Sequence, residues 1–325
     1  MATAPEISVV VPSKDRPIRL RWLLNALEEQ SLDMERWEVV VAHDSVAPET
    51  ERLLREHPLA AAGVLRHLTL EPTPWSAGML RNAAWRAARS DVIAFTDDDC
   101  RPPRDWVESA LRAARSHPGA VIQGTTEEDP EELAERHGAH VHSQAIVPPT
   151  PWAETCNIVY PRAVLEAVDG FVEQPALSAG EDTDLCLRAR KDAGAEYIGA
   201  EDMLTYHAIQ AAALPRRMRS IWRWQDLAWL VKRHPELRDS FYLYAFWKRT
   251  HVWLPFAVAG AVLSRRNPLW MALTVPWLVH STPTRGRHPL GRLRAISEIP
   301  GRFVHDMTEF AALIRGSIKH RTLFL

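Results

Sequence analysis

Three consecutive carboxylates, Asp97-Asp98-Asp99, follow directly on an apolar run at residues 92–96. Adjacent negative charges at the end of a buried strand repel one another, and a hard divalent cation bound through oxygens relieves that repulsion. Such a cation also bridges diphosphate oxygens and stabilises them as a leaving group. The plainer reading is a solvated acidic turn that caps the next helix. A second acidic pair, Glu181-Asp182, opens a helical stretch. Asp182 is of the right type to take a proton from a hydroxyl within hydrogen-bond reach, and equally of the right type for a helix cap. His207 can complete a metal shell through a neutral imidazole nitrogen, although the chain has 14 histidines and most need only a structural role. Asp44 can accept from a base N–H or serve as a turn residue. Arg81 can neutralise phosphate charge or stand as a solvated helix arginine.

The elements that must position these groups alternate. Residues 7–11 read as a β-rich strand ending at Pro12, and residues 18–27 carry apolar side chains at helical spacing. Strands follow at 37–42, 64–70, 92–96 and 120–123, separated by helices from Pro48, over 77–88 and over 106–115. A late helix runs from Gly180-Glu181-Asp182 to about residue 193. A strand follows at 196–198, and then Leu204-Thr205-Tyr206-His207. This alternation predicts an α/β fold with a mostly parallel sheet flanked by helices. Ligands of such sheets bind beyond the carboxyl ends of the strands, where Asp44 and Asp97–Asp99 both fall. Residues 127–135 are acidic and read as exposed.

The net charge of -2 conceals a division: residues 1–214 sum to -15 and residues 215–325 to +13. The basic third also holds seven of the 13 tryptophans. It contains two apolar stretches, 252–263 and 269–279, split by Ser264-Arg265-Arg266-Asn267-Pro268. Each is shorter than the ~20 residues a bilayer span requires. They read as a shallow hairpin in a membrane interface, or as a helical subdomain packed on the rest of the chain or on a second copy. No nucleic-acid motif accompanies the positive charge. Cys100, Cys156 and Cys186 show no metal-ligand spacing or disulfide pattern and read as core residues of a protein in a reducing compartment. Residues 1–6 lack the basic and apolar pattern of a signal peptide. The expected location is cytoplasmic, at the cytoplasmic face of the membrane.

Taken in order, several segments resemble glycosyltransferase family 2, the inverting GT-A type, over roughly residues 5–210. They are Ser8-Val9-Val10-Val11-Pro12 with Asp15-Arg16-Pro17, Val39-Val40-Val41-Ala42-His43-Asp44-Ser45, and Gly78-Met79-Leu80-Arg81-Asn82 leading to Asp97-Asp98-Asp99. Cys156-Asn157-Ile158-Val159-Tyr160, Asp169-Gly170-Phe171 and Gly180-Glu181-Asp182 through Arg188 complete the set. The resemblance implies a GT-A catalytic domain over 1–214 and a mostly helical extension over 215–325. It implies Asp182, with Glu181, as catalytic base, and Asp99 and His207 as ligands of Mn²⁺ (or Mg²⁺). Pro12, Asp15, Asp44, Arg81, Asp97, Asp98 and Asn157 are then the nucleotide-sugar contacts. The implied donor is a UDP, GDP or dTDP sugar and the acceptor a hydroxyl; the membrane reading of residues 215–325 would make that a hydroxyl of a lipid-linked or cell-envelope glycan, and a homo-oligomer is compatible with the pattern. The family's usual Tyr-Asn is replaced by Lys14-Asp15, and its Asp-Asp-Gly-Ser by His43-Asp44-Ser45, both where the base is read. Two other classes fit less well. A sugar-nucleotide nucleotidyltransferase would show a glycine-rich basic loop where Pro12-Ser13-Lys14-Asp15-Arg16 stands. A non-catalytic binding protein on the same fold has no need of Glu181-Asp182.

Overall fold

The structure, a computed structural model, describes residues 4–71, 76–137, 141–174, 177–282 and 289–325. Residues 1–3 of the N-terminal stretch read above lie outside them. The chain forms two compact units, Met1–Ala211 and Ala212–Leu325.

The first unit is built on eight strands: β1 (Ile7–Ser13), β2 (Trp37–His43), β3 (Leu65–Thr69), β4 (Val92–Thr96), β5 (Cys100–Arg101), β6 (Val121–Glu128), β7 (Asn157–Pro161) and β8 (Tyr197–His207). Around them lie α1 (Pro17–Glu28), α2 (Pro48–Glu56), the single turn α3 (Pro58–Ala61), α4 (Ala77–Ala87), α5 (Trp106–Ser116), α6 (Arg162–Ala167) and α7 (Glu181–Asp192). The strands form one sheet in the order β3-β2-β1-β4-β7-β6-β8-β5. β1 to β4 are mutually parallel where they pair, as are β6 and β8, whereas β7 runs antiparallel to both its neighbours and β5 antiparallel to β8.

Period-two alternation divides the strand side chains between two apolar layers. Val9 and Val11 pack with Leu20, Leu23, Leu24 and Leu27 of α1 on one face. Val10 and Phe95 pack with Leu80, Trp85 and Leu185 from α4 and α7 on the other. The leucine spacing of α1 is one helix face, and Pro17 opens that helix where a missing N–H costs nothing. Ser76 caps α4, its hydroxyl accepting from Met79 N at 3.2 Å.

Three features depart from the sequence reading. β7 and β5 are additional strands. Residues 196–198 and 204–207 belong to one strand, β8, whose register against β6 jumps from Gly124↔Ala200 to Thr125↔Leu204. The residues looped out there include exposed Glu201 and Asp202, which hide the strand from an apolar-pattern search. The acidic stretch 127–135 is not uniformly exposed: Asp129 is buried and holds Arg101, with Nε at 2.8 Å from Oδ2.

The second unit is helical: α8 (Leu214–Ile221), α9 (Leu227–Arg233), α10 (Arg249–Leu263), α11 (Val275–Ser281) and α12 (Pro289–His320). Leu254, Ala257 and Trp277 form its buried centre, with Phe303 and Phe310 of α12 packed against them. Phe241 and Phe324 add an aromatic contact at 4.6 Å between ring centroids. Among the described residues no helix is long and apolar enough to cross a membrane.

Candidate active site

The carboxyl ends of β1, β2 and β4 share one rim of the sheet. Because β7 is antiparallel, its amino end joins them: Asn157 is the register partner of Thr96. The end of β8 arrives there too, with His207 opposite Cys100. Residues remote in sequence therefore meet for topological reasons.

At the β2 end, Asp44 is fully buried and paired with Lys14. Its Oδ1 has no hydrogen-bond partner, a costly arrangement for a buried carboxylate that a ligand donor would relieve. Asp15, at φ 51°, bends the loop after β1: its N–H donates to Ser45 Oγ at 2.8 Å and its Oδ1 accepts from Val46 N at 3.0 Å. Those bonds tie the β1 and β2 loops together. Pro12 is buried within β1 and brings only backbone and shape.

The three aspartates face different partners. Asp97 Oδ1 accepts from Arg81 Nη2 at 2.7 Å. Asp98 accepts from Ser13 Oγ at 2.8 Å and from Arg16 Nη1 at 3.3 Å. Asp99 Oδ2 accepts from Arg16 Nη1 at 2.8 Å and from Gln210 Nε2 at 2.7 Å. Burial, reinforced by the charge of Asp99, pushes the Asp98 carboxyl up to about 7. Burial acts on Asp99 in the same sense, but His207 and Arg16 outweigh it and hold this carboxyl below its ordinary value.

His207 is buried, with Nδ1 2.9 Å from Ala208 O and Nε2 3.6 Å from Asp99 Oδ1. A carbonyl can only accept, so Nδ1 carries a proton, and Nε2 is the ring nitrogen on the side of Asp99. With Nε2 unprotonated, that is the tautomer a metal-ligating imidazole needs. Asp99 and His207 therefore offer an oxygen and a nitrogen that fit a divalent transition-metal ion.

Asp182 lies in the first turn of α7, which Gly180 opens at φ 91°, a left-handed conformation natural to glycine. Its Oδ2 accepts from Thr155 N at 3.2 Å and its Oδ1 lies 3.3 Å from Arg81 Nη1. Burial raises the Asp182 carboxyl above its ordinary value; Arg81 opposes this and Asp97 adds to it. The side chain keeps 24% exposure, enough for a substrate proton to reach it. Arg81 is buried and also lies 3.7 Å from Glu181 Oε1. Burial alone would ease its deprotonation, but Asp97, Asp182 and Glu181 together hold the proton more firmly than usual.

Asn157 stands apart from these groups. It is fully buried; Oδ1 accepts from Trp106 Nε1 at 2.8 Å, and Nδ2 donates to Thr125 O at 2.8 Å and Met203 O at 2.7 Å. Its amide is committed to joining α5, β6 and β8. Conversely, Lys14, Arg16, Ser13, Thr155 and Gln210 touch the site carboxylates without having been singled out. The only signal for the first two was a basic pair within Lys14-Asp15-Arg16, just after β1. Gln210 and Thr155 carried none.

An open, mostly parallel sheet with these carboxylates on one rim defines a GT-A unit. Residues 8–168 match the family model of glycosyl transferase family 2. The chain belongs to glycosyltransferase family 2 through this unit and is a glycosyltransferase, so the nucleotidyltransferase and non-catalytic readings fall away. It is 24% identical to glycosyltransferase AglE of Haloferax volcanii over 252 residues, 76% of this chain and 81% of that one. It is 26% identical over 217 residues to validoxylamine A glucosyltransferase of Streptomyces hygroscopicus subsp. jinggangensis, covering 57% of the chain but only 51% of that relative. Two solved structures share the fold. The mannosyltransferase PcManGT from Pyrobaculum calidifontis, in complex with GDP-Man and Mn²⁺, superposes with a TM-score of 0.57 at 19% identity over 98% of this chain and 88% of that one. S. aureus TarS 1-349, in complex with UDP-GlcNAc, gives 0.53 at 16% identity over 98% and 92%.

Proposed function

We propose that the chain is a metal-dependent, inverting glycosyltransferase that moves a sugar from a UDP, GDP or dTDP donor to a hydroxyl of a lipid-linked or cell-envelope glycan. The observation that carries this reading is the convergence of Asp44, Asp97–Asp99, Asp182 and His207 on one rim. Two proteins of the same fold hold GDP-Man with Mn²⁺ and UDP-GlcNAc, which supports a nucleotide-sugar donor at that rim. Asp44, with its unsatisfied Oδ1, is the group for a base N–H. Asp99 and His207 would hold Mn²⁺, which an imidazole ligand suits better than Mg²⁺. That cation supplies positive charge against the departing diphosphate.

Asp182 takes the proton of the acceptor hydroxyl as its oxygen attacks the anomeric carbon. The bond to the diphosphate oxygen breaks on the opposite face, and the configuration inverts because no enzyme nucleophile intervenes. Arg81 sets both partners of this step. It holds Asp97 on the donor side and Asp182 on the acceptor side, so it couples the base to the occupied donor site. The catalytic unit works at the cytoplasmic face of a membrane, where an acceptor of this kind is presented.

Calorimetric titration of UDP, GDP and dTDP, with and without Mn²⁺, tests the donor site. One nucleotide is expected to bind in a metal-dependent manner to the wild type and not to Asp99→Asn. Equal binding by the variant would remove Asp99 from the metal site.

A further inference from the structure

We propose that the turn joining α10 to α11 is a bilayer-docking tip that seats in the headgroup region of an anionic membrane. This rests on the membrane-face reading above and names the surface responsible. α10 ends at Leu263, and the chain returns through a 3-10 turn, Pro268–Thr274, into α11. Residues 265–272 are exposed without interruption. A water-facing turn is ordinarily polar, yet Leu269 is 80% exposed, with Trp270 and Met271 beside it and Val275 and Val279 exposed on the return.

This exposure is built into the packing. A Cβ on Gly260 of α10 would lie 2.7 Å from Trp270 O and 2.8 Å from Leu273 Cβ, so the turn presses its backbone on α10 and sends its large apolar side chains outward. Asn267 Oδ1 accepts from Leu269 N at 3.0 Å and Thr274 Oγ1 donates to Met271 O at 2.7 Å, which fixes the turn at both ends.

Charge selects the occupant. Between Asp239 and Glu298 the chain has eight Lys and Arg and no Asp or Glu. Arg265 and Arg266 begin the exposed run, and neither has an ion-pair partner among the described residues. Apolar side chains in front of two arginines match the acyl boundary and phosphate level of an anionic leaflet. Pairing with a second copy would set this positive field against itself. Insertion is shallow, since the 15 residues of α10 rise only about 22 Å against a core of roughly 30 Å.

Flotation of the full chain with vesicles of phosphatidylglycerol and phosphatidylcholine, against phosphatidylcholine alone, tests the tip. The wild type is expected to float with the anionic vesicles and to lose this in high salt. Arg265→Glu/Arg266→Glu should lower partitioning at least roughly fivefold per arginine removed. Leu269→Ser/Trp270→Ser/Met271→Ser should abolish flotation even in low salt. Calorimetric nucleotide binding, unchanged in both variants, shows that they are folded and keeps this test separate from the donor-site reading. Wild-type protein that binds nucleotide but not vesicles, or variants that float as the wild type does, would overturn the tip. So would a wild-type dimer that the triple serine variant converts to monomer, since the apolar turn would then be a self-interface.

Discussion

Each unit buries a group of carboxylates beside a histidine, and the two groups are closed in different ways. In the second unit His251, Asp306 and Glu309 place one ligand atom each within 4.8 Å of one another. Lys248 sits on Glu309 Oε2, His251 Nε2 lies 3.2 Å from the same oxygen, and Trp277 Nε1 donates to Asp306 at 3.0 Å. Its carboxylates are answered from within, although His251 Nδ1 is left without a hydrogen-bond partner, and the cluster pins α10 and α11 to α12. In the first unit Asp44 keeps an unanswered oxygen, His207 turns Nε2 towards Asp99, and the balancing Arg16 is half-exposed. Proximity of ligand atoms is common to both. What sets the first group apart is an unanswered carboxylate oxygen at an accessible rim.

The largest expected effect that tests this contrast is at Asp182. Asp182→Asn should reduce turnover roughly a thousandfold while leaving nucleotide affinity intact, measured by product formation and calorimetry on the same preparation. In the wild type the raised Asp182 carboxyl predicts that kcat/KM falls with acid at a pH above the ordinary aspartate value, because the base must be ionised to accept a proton. A profile flat through that range would break the assignment.

Next is Asn157→Leu. It removes the acceptor for Trp106 and the donors for two buried carbonyls, so unfolding should be easier by about 3 kcal/mol. Urea denaturation reads this, and any protein that remains folded should bind nucleotide normally.

Glu309→Gln tests the closed cluster. It removes the charge that answers Lys248, and since Lys248 is partly exposed the loss should be about 2 kcal/mol, with no change in metal-dependent nucleotide binding. Burial opposes ionisation of Glu309, but His251 and Lys248 outweigh it and depress its folded-state pKa. Its stabilisation is therefore present above the unfolded value of 4.5 and is lost as pH falls through the depressed one. The variant should show a flatter acid limb in thermal melts.

Smallest is Leu269→Ser, expected to change stability by less than about 0.5 kcal/mol because the side chain already faces solvent. A large loss would mean that the turn is part of the core.

Much of the first unit was legible: β1, β2 and β4 stand out as short continuous apolar runs, and α1 carries apolar side chains at helical spacing. β7 was not, because only Ile158-Val159-Tyr160 stand between Asn157 and Pro161, too short an apolar run to mark a strand. β8 was split by its looped-out acidic residues. In the site, the aspartates announced themselves by clustering after a strand. The bonds of Asn157 to Trp106, Thr125 and Met203 were not legible, because a place in a motif says nothing about which way an amide points.

The order of residues by itself determined which segments could be strands or helices, where the negative and positive charge would concentrate, and that acidic groups would end several strands. These follow from local sterics and the burial of apolar side chains, which act over a few residues. Only the tertiary structure decided that β7 would run backwards and bring Thr155 beside Asp182. It also decided that β8 would carry His207 to Asp99, and that Arg16 would lie across Asp98 and Asp99. Those contacts join residues 27 to 108 positions apart, and they are set by strand order and sheet direction, which no local pattern encodes.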